Sequence, residues 1–234
     1  MKRSFFIVLL AFAGSALAFS SPCGIGSLAS YITLGASGCT VGSNTFFDFA
    51  TVSGISRATE IPTSSVSVSP LGGSFDPGLT VTVNVSASAD TLFEAIFTYR
   101  ITGGSYTANA ISLSNSSQTG DGAVTDTQNF CAGGTFGPDG VTGCTGKPGA
   151  LVAVNGVQNS DSAQFTSVSL LSITDDFVID GGTAGTANGG TFTDRFSSVP
   201  EPSSAFLLTI ATAVAVSLKF GQKRGDRPGN KEEV

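Results

Sequence analysis

The segment Leu79-Thr80-Val81-Thr82-Val83-Asn84-Val85-Ser86 alternates strictly between apolar and polar side chains. A period of two puts every apolar residue on one face of an extended chain and every polar one on the other, which neither a helix nor a disordered segment reproduces. Such a strand is half-buried and needs a second layer to cover its apolar face. Phe93, Ala95, Phe97, Tyr99 and Ile101 repeat the pattern and run into Thr102-Gly103-Gly104, where a turn is expected. Shorter runs at 45–52, 64–68, 108–114, 122–130, 150–154, 164–173, 177–179 and 190–196 read as further strands, separated by Gly, Asn, Asp and Pro clusters. Together they predict an all-β fold, an antiparallel β-sandwich that is jelly-roll-like or immunoglobulin-like in general form. A weak amphipathic period at 25–32 is the one helical candidate within this part of the chain.

Residues 19–198 are long enough for one sizeable core and are expected to form a single domain. Here Arg57, Arg100, Lys147 and Arg195 face thirteen carboxylates, a balance of −9. That surface repels nucleic acid and anionic polymers, so no nucleic-acid partner is expected. The chain has no histidine, which excludes Ser-His and Cys-His catalysis in their usual forms. A glycosidase would need two facing acids. Asp90, Glu94, Asp121, Asp126, Asp139, Asp161, Asp175 and Asp176 supply candidates, but no spacing singles out a pair. Most are expected in turns, as solvated caps, and no catalytic residue is assigned. Asp121-Gly122 and Pro138-Asp139-Gly140 are turn signals. The stretch Asp175-Asp176, Asp180-Gly181-Gly182 and Asn188-Gly189-Gly190 fits neither an EF-hand nor a calcium-binding repeat. It reads as turns joining the last strands, and no metal or other cofactor is expected.

The four cysteines, Cys23, Cys39, Cys131 and Cys144, form neither a Cys-x-x-Cys pair nor a cluster with histidine, so zinc is not indicated. Their even number argues for two disulfides formed in an oxidising compartment, with three connectivities open. Locality favours Cys23–Cys39 and Cys131–Cys144.

The two ends carry addresses. Lys2 and Arg3 precede an apolar run at 5–12, and Ala16-Leu17-Ala18 is a small-x-small cleavage site, so residues 1–18 are expected to be a secretory signal peptide. At the other end, Pro200 and Pro202 hold Val199-Pro200-Glu201-Pro202 extended, because proline fixes φ and lacks an N–H. An uncharged apolar stretch then leads to Lys219, Lys223, Arg224, Arg227 and Lys231. The positive-inside rule keeps this basic end in the cytoplasm and sends the body across the membrane. A helix at about 204–220 would span about 24 Å, short of the ~30 Å hydrocarbon core, which suits a temporary anchor stopped by Lys219, Lys223 and Arg224.

This tail resembles the PEP-CTERM sorting signal of Gram-negative bacteria. The resemblance places the sorting motif at Pro200, Glu201 and Pro202, the signal at 199–224 and a polar cytoplasmic tail at 225–234. It implies two partners, the general secretion machinery and exosortase, an inner-membrane protease thought to remove the tail. The segment 39–49, following Leu28-Ala29-Ser30-Tyr31-Ile32, is similar to the amino-terminal part of many PEP-CTERM ectodomains. That likeness implies that Cys39 pairs with Cys23 and that Phe47 and Phe49 start the core. The expected role is a cell-surface or extracellular-matrix protein, structural or adhesive in association with extracellular polysaccharide. A carbohydrate-binding module is the alternative. The binding surface is expected on the hydroxylated face that includes Thr80, Thr82, Asn84 and Ser86.

Overall fold

The computed structural model describes residues 20–53 and 58–199. The expected signal peptide, Pro200, Glu201 and Pro202, the membrane helix, Lys219, Lys223 and Arg224, and the polar tail all lie outside the described residues. No helix among the described residues is long and apolar enough to cross a membrane.

The regular structure of the described residues is mostly strand, in the order β1 (Gly26–Ser27), β2 (Cys39–Val41), β3 (Asn44–Thr51), β4 (Thr59–Glu60), β5 (Val66–Leu71), β6 (Gly78–Val83) and β7 (Ser86–Ser88). There follow β8 (Leu92–Ser114), β9 (Ser117–Thr119), β10 (Ala123–Ala132), β11 (Lys147–Val154), β12 (Ser160–Asp180), β13 (Thr186–Asn188) and β14 (Thr191–Val199). The helical candidate shrinks to one short helix, α1 (Leu28–Ile32), whose first turn is capped by the Ser27 hydroxyl accepting from the Ser30 N–H.

The pairing is antiparallel except between β4 and β8, and the strands stack into a sandwich because β8 and β12 each serve both layers. The first half of β8 pairs with the second half of β12 and with β3, while β10 and β11 extend that layer. The second half of β8 pairs with β14 and with the first half of β12, and β6, β5 and β1 extend the other layer. Bulges between Gln164, Val168 and Leu170 let β12 make the crossing. A separate three-stranded sheet, β7-β13-β9, accompanies them.

The expected turn at Thr102-Gly103-Gly104 is therefore a corrected one: β8 runs through it from one layer to the other. Gly103 allows this with φ 94°, and a Cβ there would sit 2.4 Å from the Ser43 carbonyl oxygen. The crossing is locked by Asn44, fully buried, whose amide donates to the carbonyls of Val41 and Ser74 and accepts from the Tyr106 hydroxyl at 2.8 Å. The expected strands at 164–173 and 177–179 likewise join into β12.

Between the layers the alternating faces meet. Phe97 and Phe177 on one side contact Phe192 on the other, and Phe46 and Tyr99 contact Phe196, with ring centroids 5.2 to 6.4 Å apart. Burying each such ring contributes about 1.5–3 kcal/mol. In β3 the buried pair is Phe46 and Phe49, with Phe47 half-buried. The implied start of the core at Phe47 is thus off by one. Asp48, at φ 55°, breaks the register between Phe47 and Ala50, so residues three apart share the inner face.

Both expected disulfides are present, Cys23–Cys39 and Cys131–Cys144. The first ties the amino-terminal segment beside β2, where Cys23 N–H donates to the Thr40 carbonyl at 2.9 Å. The second closes the loop between β10 and β11. With separations of 16 and 13 residues, each removes about 3 kcal/mol of chain entropy from the unfolded state. Such bonds belong to an extracellular or otherwise oxidising compartment.

Candidate functional site

Three strands bring acids to the middle of the core. Asp126 of β10, Asp175 of β12 and Asp194 of β14 each occupy an inward position of an alternating run, with apolar neighbours two residues away on at least one side. Asp175 stands opposite Gln128 on β10 and Phe97 on β8, while Asp194 stands opposite Leu79 on β6 and Ile111 on β8. All three are fully buried, and one carboxylate oxygen from each lies within 4.8 Å of the others. The Tyr99 hydroxyl donates to Asp194 Oδ2 at 2.6 Å, Gln128 Nε2 donates to Asp175 Oδ1 at 2.8 Å, and Asn109 Nδ2 donates to Gln128 Oε1. Asp126 Oδ1 and Oδ2, Asp175 Oδ2, Asp194 Oδ1 and Asn109 Oδ1 have no donor within reach among the described residues.

Two unit charges 4.8 Å apart repel by about 3.5 kcal/mol at an effective dielectric constant of about 20. Three such pairs rival the whole stability of a domain, about 5–15 kcal/mol, so the cluster must be neutralised. Accordingly burial, and then the neighbouring carboxylates, push Asp126 and Asp175 well above the ordinary carboxylate range. Burial lifts Asp194 to about 6, held down from a higher value chiefly by the Tyr99 hydrogen bond. Burial, followed by the charge of Asp194, also pushes the Tyr99 phenol upward.

The other acids separate by position. Asp176, next in sequence to Asp175, points to the opposite face, where burial and the neighbouring Glu94 carboxyl raise it to about 6. Asp90, at φ 59°, is exposed in the turn before β8. Asp121 caps a turn by accepting from the Thr183 hydroxyl at 2.6 Å and from the Thr183 and Ala184 N–H groups at 2.9 Å, which lower it to about 2. Asp139 likewise accepts from the Val141 and Thr142 N–H groups. Asp161 accepts from Val152 N–H at 3.1 Å. The expectation of solvated caps fits Asp121 and Asp139 and is corrected for Asp126 and Asp175, which lie in mid-strand. Asp194 was absent from the sequence candidates, although Phe192-x-Asp194-x-Phe196 marks it as inward. The stretch from Asp175 to Gly190 does not converge: Asp175 faces the core, Asp180 caps the Gly181-Gly182 turn, and Asn188 lies in β13, bonded to Ser86 and Ser117.

A different surface faces solvent. On the outer side of the β5-β6-β14-β8-β12 layer, Ser67, Thr82, Thr191 and Ser114 are register partners in one row across four strands. Ser69, Thr80, Thr193, Ser112 and Ser160 form the next row, across five. Strand spacing sets about 4.8 Å between neighbours within a row and about 6.7 Å between rows. Beside them a shallow depression of about 360 Å³ is lined by Ser112, Ser160, Ser162, Thr193, Asp161 and Arg195, with Arg195 ion-paired to Asp76. Thr80 and Thr82 sit on this face as expected. Ser86 does not, because the chain leaves β6 at Asn84 and Ser86 joins the three-stranded sheet. A second concavity, of about 250 Å³, lies between the Cys131–Cys144 loop and β3 and holds the Arg100–Asp48 ion pair at 3.1 Å, beside Phe136.

No protein-family model matches the chain, and no curated protein matches it. Among solved structures it is similar to the Glycosylation Associate Protein (Gap123) complex from Streptococcus agalactiae, 11% identical with a TM-score of 0.27, over 68% of this chain and 27% of that one. It is also similar to TmCBM61 in complex with β-1,4-galactotriose, 9% identical with a TM-score of 0.25, over 56% of this chain and 81% of that one. At these scores neither likeness bears on the ligand of this chain.

Proposed function

We propose that the chain is an exported protein of the cell surface or extracellular matrix, and that its hydroxylated outer face engages an extended neutral polysaccharide without cleaving it. The two hydroxyl rows across the β5-β6-β14-β8-β12 layer carry this reading. A flat lattice of donors and acceptors suits a repeating polyol. Each hydrogen bond contributes about 0.5–1.5 kcal/mol, so useful affinity comes from many contacts along one polymer. The acidic balance disfavours anionic polymers. The aspartates at the centre are fully buried, beyond the reach of a polymer chain, which favours binding over hydrolysis. Delivery is assigned to the Pro200-Glu201-Pro202 signal and exosortase, and the two disulfides fit an exported route.

Binding is tested by co-sedimentation of the purified chain with insoluble neutral and anionic polysaccharides. Ser112→Glu with Thr193→Glu should lower affinity for the neutral polymer at least about tenfold, equal to 1.4 kcal/mol, with an unchanged circular dichroism spectrum. Unchanged binding in the double variant would reject this face. Release of reducing sugar, abolished by one carboxylate substitution, would make the protein an enzyme. Self-association without saturable binding would favour a purely structural role. Intact-mass analysis of surface-released protein from a host with exosortase should show loss of the residues following the motif, and retention of 203–234 would reject processing.

A further inference from the structure

The three core aspartates come from both layers, Asp126 and Asp175 from one and Asp194 from the other, and meet in the buried interior between them. We propose that Asp126, Asp175 and Asp194 hold one hard divalent cation of the size of Ca²⁺ between the two layers. The donor set is oxygen only, which suits Ca²⁺ and not a thiophilic or imidazole-seeking metal. Oxygens bound to one Ca²⁺ at about 2.4 Å are separated by no more than about 4.8 Å, the limit within which one oxygen from each aspartate lies here. Mg²⁺ fits less well, because it demands near-ideal octahedral geometry, whereas the flexible coordination of Ca²⁺ accepts an irregular set of oxygens drawn from three strands.

A second observation points the same way. Asp175 and Asp194 each have one oxygen covered, by Gln128 and by Tyr99 respectively. Asp126 has neither: it is fully buried, aimed into the cluster, and both its oxygens are without a donor among the described residues. A proton on Asp126 would cancel its charge and still leave a buried O–H and carbonyl to be satisfied. A cation satisfies both oxygens together with Asp175 Oδ2 and Asp194 Oδ1. Gln128 and Tyr99 already cover the other oxygen of Asp175 and of Asp194. Asn109 Oδ1, also buried and unpartnered, lies one amide beyond Gln128. Bound there, the ion ties β10 and β12 to β14 and acts as a cross-link through the core.

The experiment unfolds the purified full chain in guanidinium with a chelator, disulfides intact, and refolds it with and without CaCl₂. One Ca²⁺ per chain should survive gel filtration, read by atomic emission. At free Ca²⁺ about 100 times the dissociation constant, the folding equilibrium constant should rise about 100-fold. Asp126→Asn, nearly isosteric, should fold and lose both metal and response. Tb³⁺ supplies a reading that is independent of stability: the chain has no tryptophan, and Tyr99, bonded to Asp194, should sensitise its luminescence. Tyr99→Phe should remove most of that signal, whereas Tyr31→Phe, whose hydroxyl bonds the Gly24 carbonyl away from the cluster, should leave both the signal and the Ca²⁺ stoichiometry intact. A wild-type chain that refolds without bound metal and ignores Ca²⁺ overturns the proposal. So does an undiminished response in Asp126→Asn, or stabilisation by Mg²⁺ alone. Should Asp126→Asn fail to fold, the wild-type metal content and the Tyr99→Phe luminescence decide.

Discussion

Two tyrosine hydroxyls in this core offer a controlled comparison. Tyr99 donates to the Asp194 carboxylate at 2.6 Å, and Tyr106 donates to the neutral Asn44 amide oxygen at 2.8 Å. Both tyrosines are fully buried, and both rings pack against Phe196. Replacing either by phenylalanine keeps the ring and deletes only the hydroxyl, so the packing terms cancel to first order. A hydrogen bond to a neutral group contributes about 0.5–1.5 kcal/mol and one to a charged group about 1.5–3 kcal/mol. Tyr106→Phe should therefore cost about 1 kcal/mol and Tyr99→Phe about 2 kcal/mol, measured near pH 8, above the value of about 6 to which burial lifts Asp194. For a chain of this size each kcal/mol lowers the melting temperature by about 2–4 °C. Urea unfolding followed by far-ultraviolet circular dichroism, with equal slopes in all three proteins, gives both values. If Tyr99→Phe costs no more than Tyr106→Phe, Asp194 is not an ionised acceptor, and the account of the cluster as charge in need of compensation is wrong.

Gly149→Ala should destabilise, reversing the usual gain from stiffening the unfolded chain, because the new Cβ would lie 2.1 Å from Phe130 Cζ. A loss of about 1–2 kcal/mol by chemical denaturation, recovered in part by Phe130→Leu, is expected, and a stabilised variant would contradict it. Removing Cys131–Cys144 by a double change to alanine should lower stability by about 3 kcal/mol, and non-reducing peptide mapping of the parent should find no crossed linkage to Cys23 or Cys39. Asp121, lowered to about 2 by the Thr183 and Ala184 hydrogen bonds, contributes stability that is present above the ordinary carboxylate value and lost as pH falls through about 2. Carbon-detected titration should show its midpoint below those of ordinary exposed carboxylates, and Asp121→Asn should flatten the pH dependence of stability in that window.

Local pattern was enough for the kind of fold, the disulfides and the turns at Asp121 and Asp139, but not for the turn expected at Thr102-Gly103-Gly104. Alternation in 79–86 and 93–101 declares strands with one buried face, since a period of two has no other stable use, and Asp121 and Asp139 behave as the turn formers their neighbours suggest. The same alternation carries a further signal: Val124-x-Asp126-x-Gln128-x-Phe130, Ile173-x-Asp175-x-Phe177 and Phe192-x-Asp194-x-Phe196 put each aspartate on an apolar face. A period says which side of its strand a residue takes, and nothing about which strands lie beside or across from it. That choice came from packing, through the crossing of β8 at Gly103, the bulges of β12, and the register that sets Asp175 against Gln128. Asp126, Asp175 and Asp194 meet only because the two layers close on each other; partners so far apart in the chain are selected by burial of the whole apolar surface, a property of the folded molecule that no local segment contains.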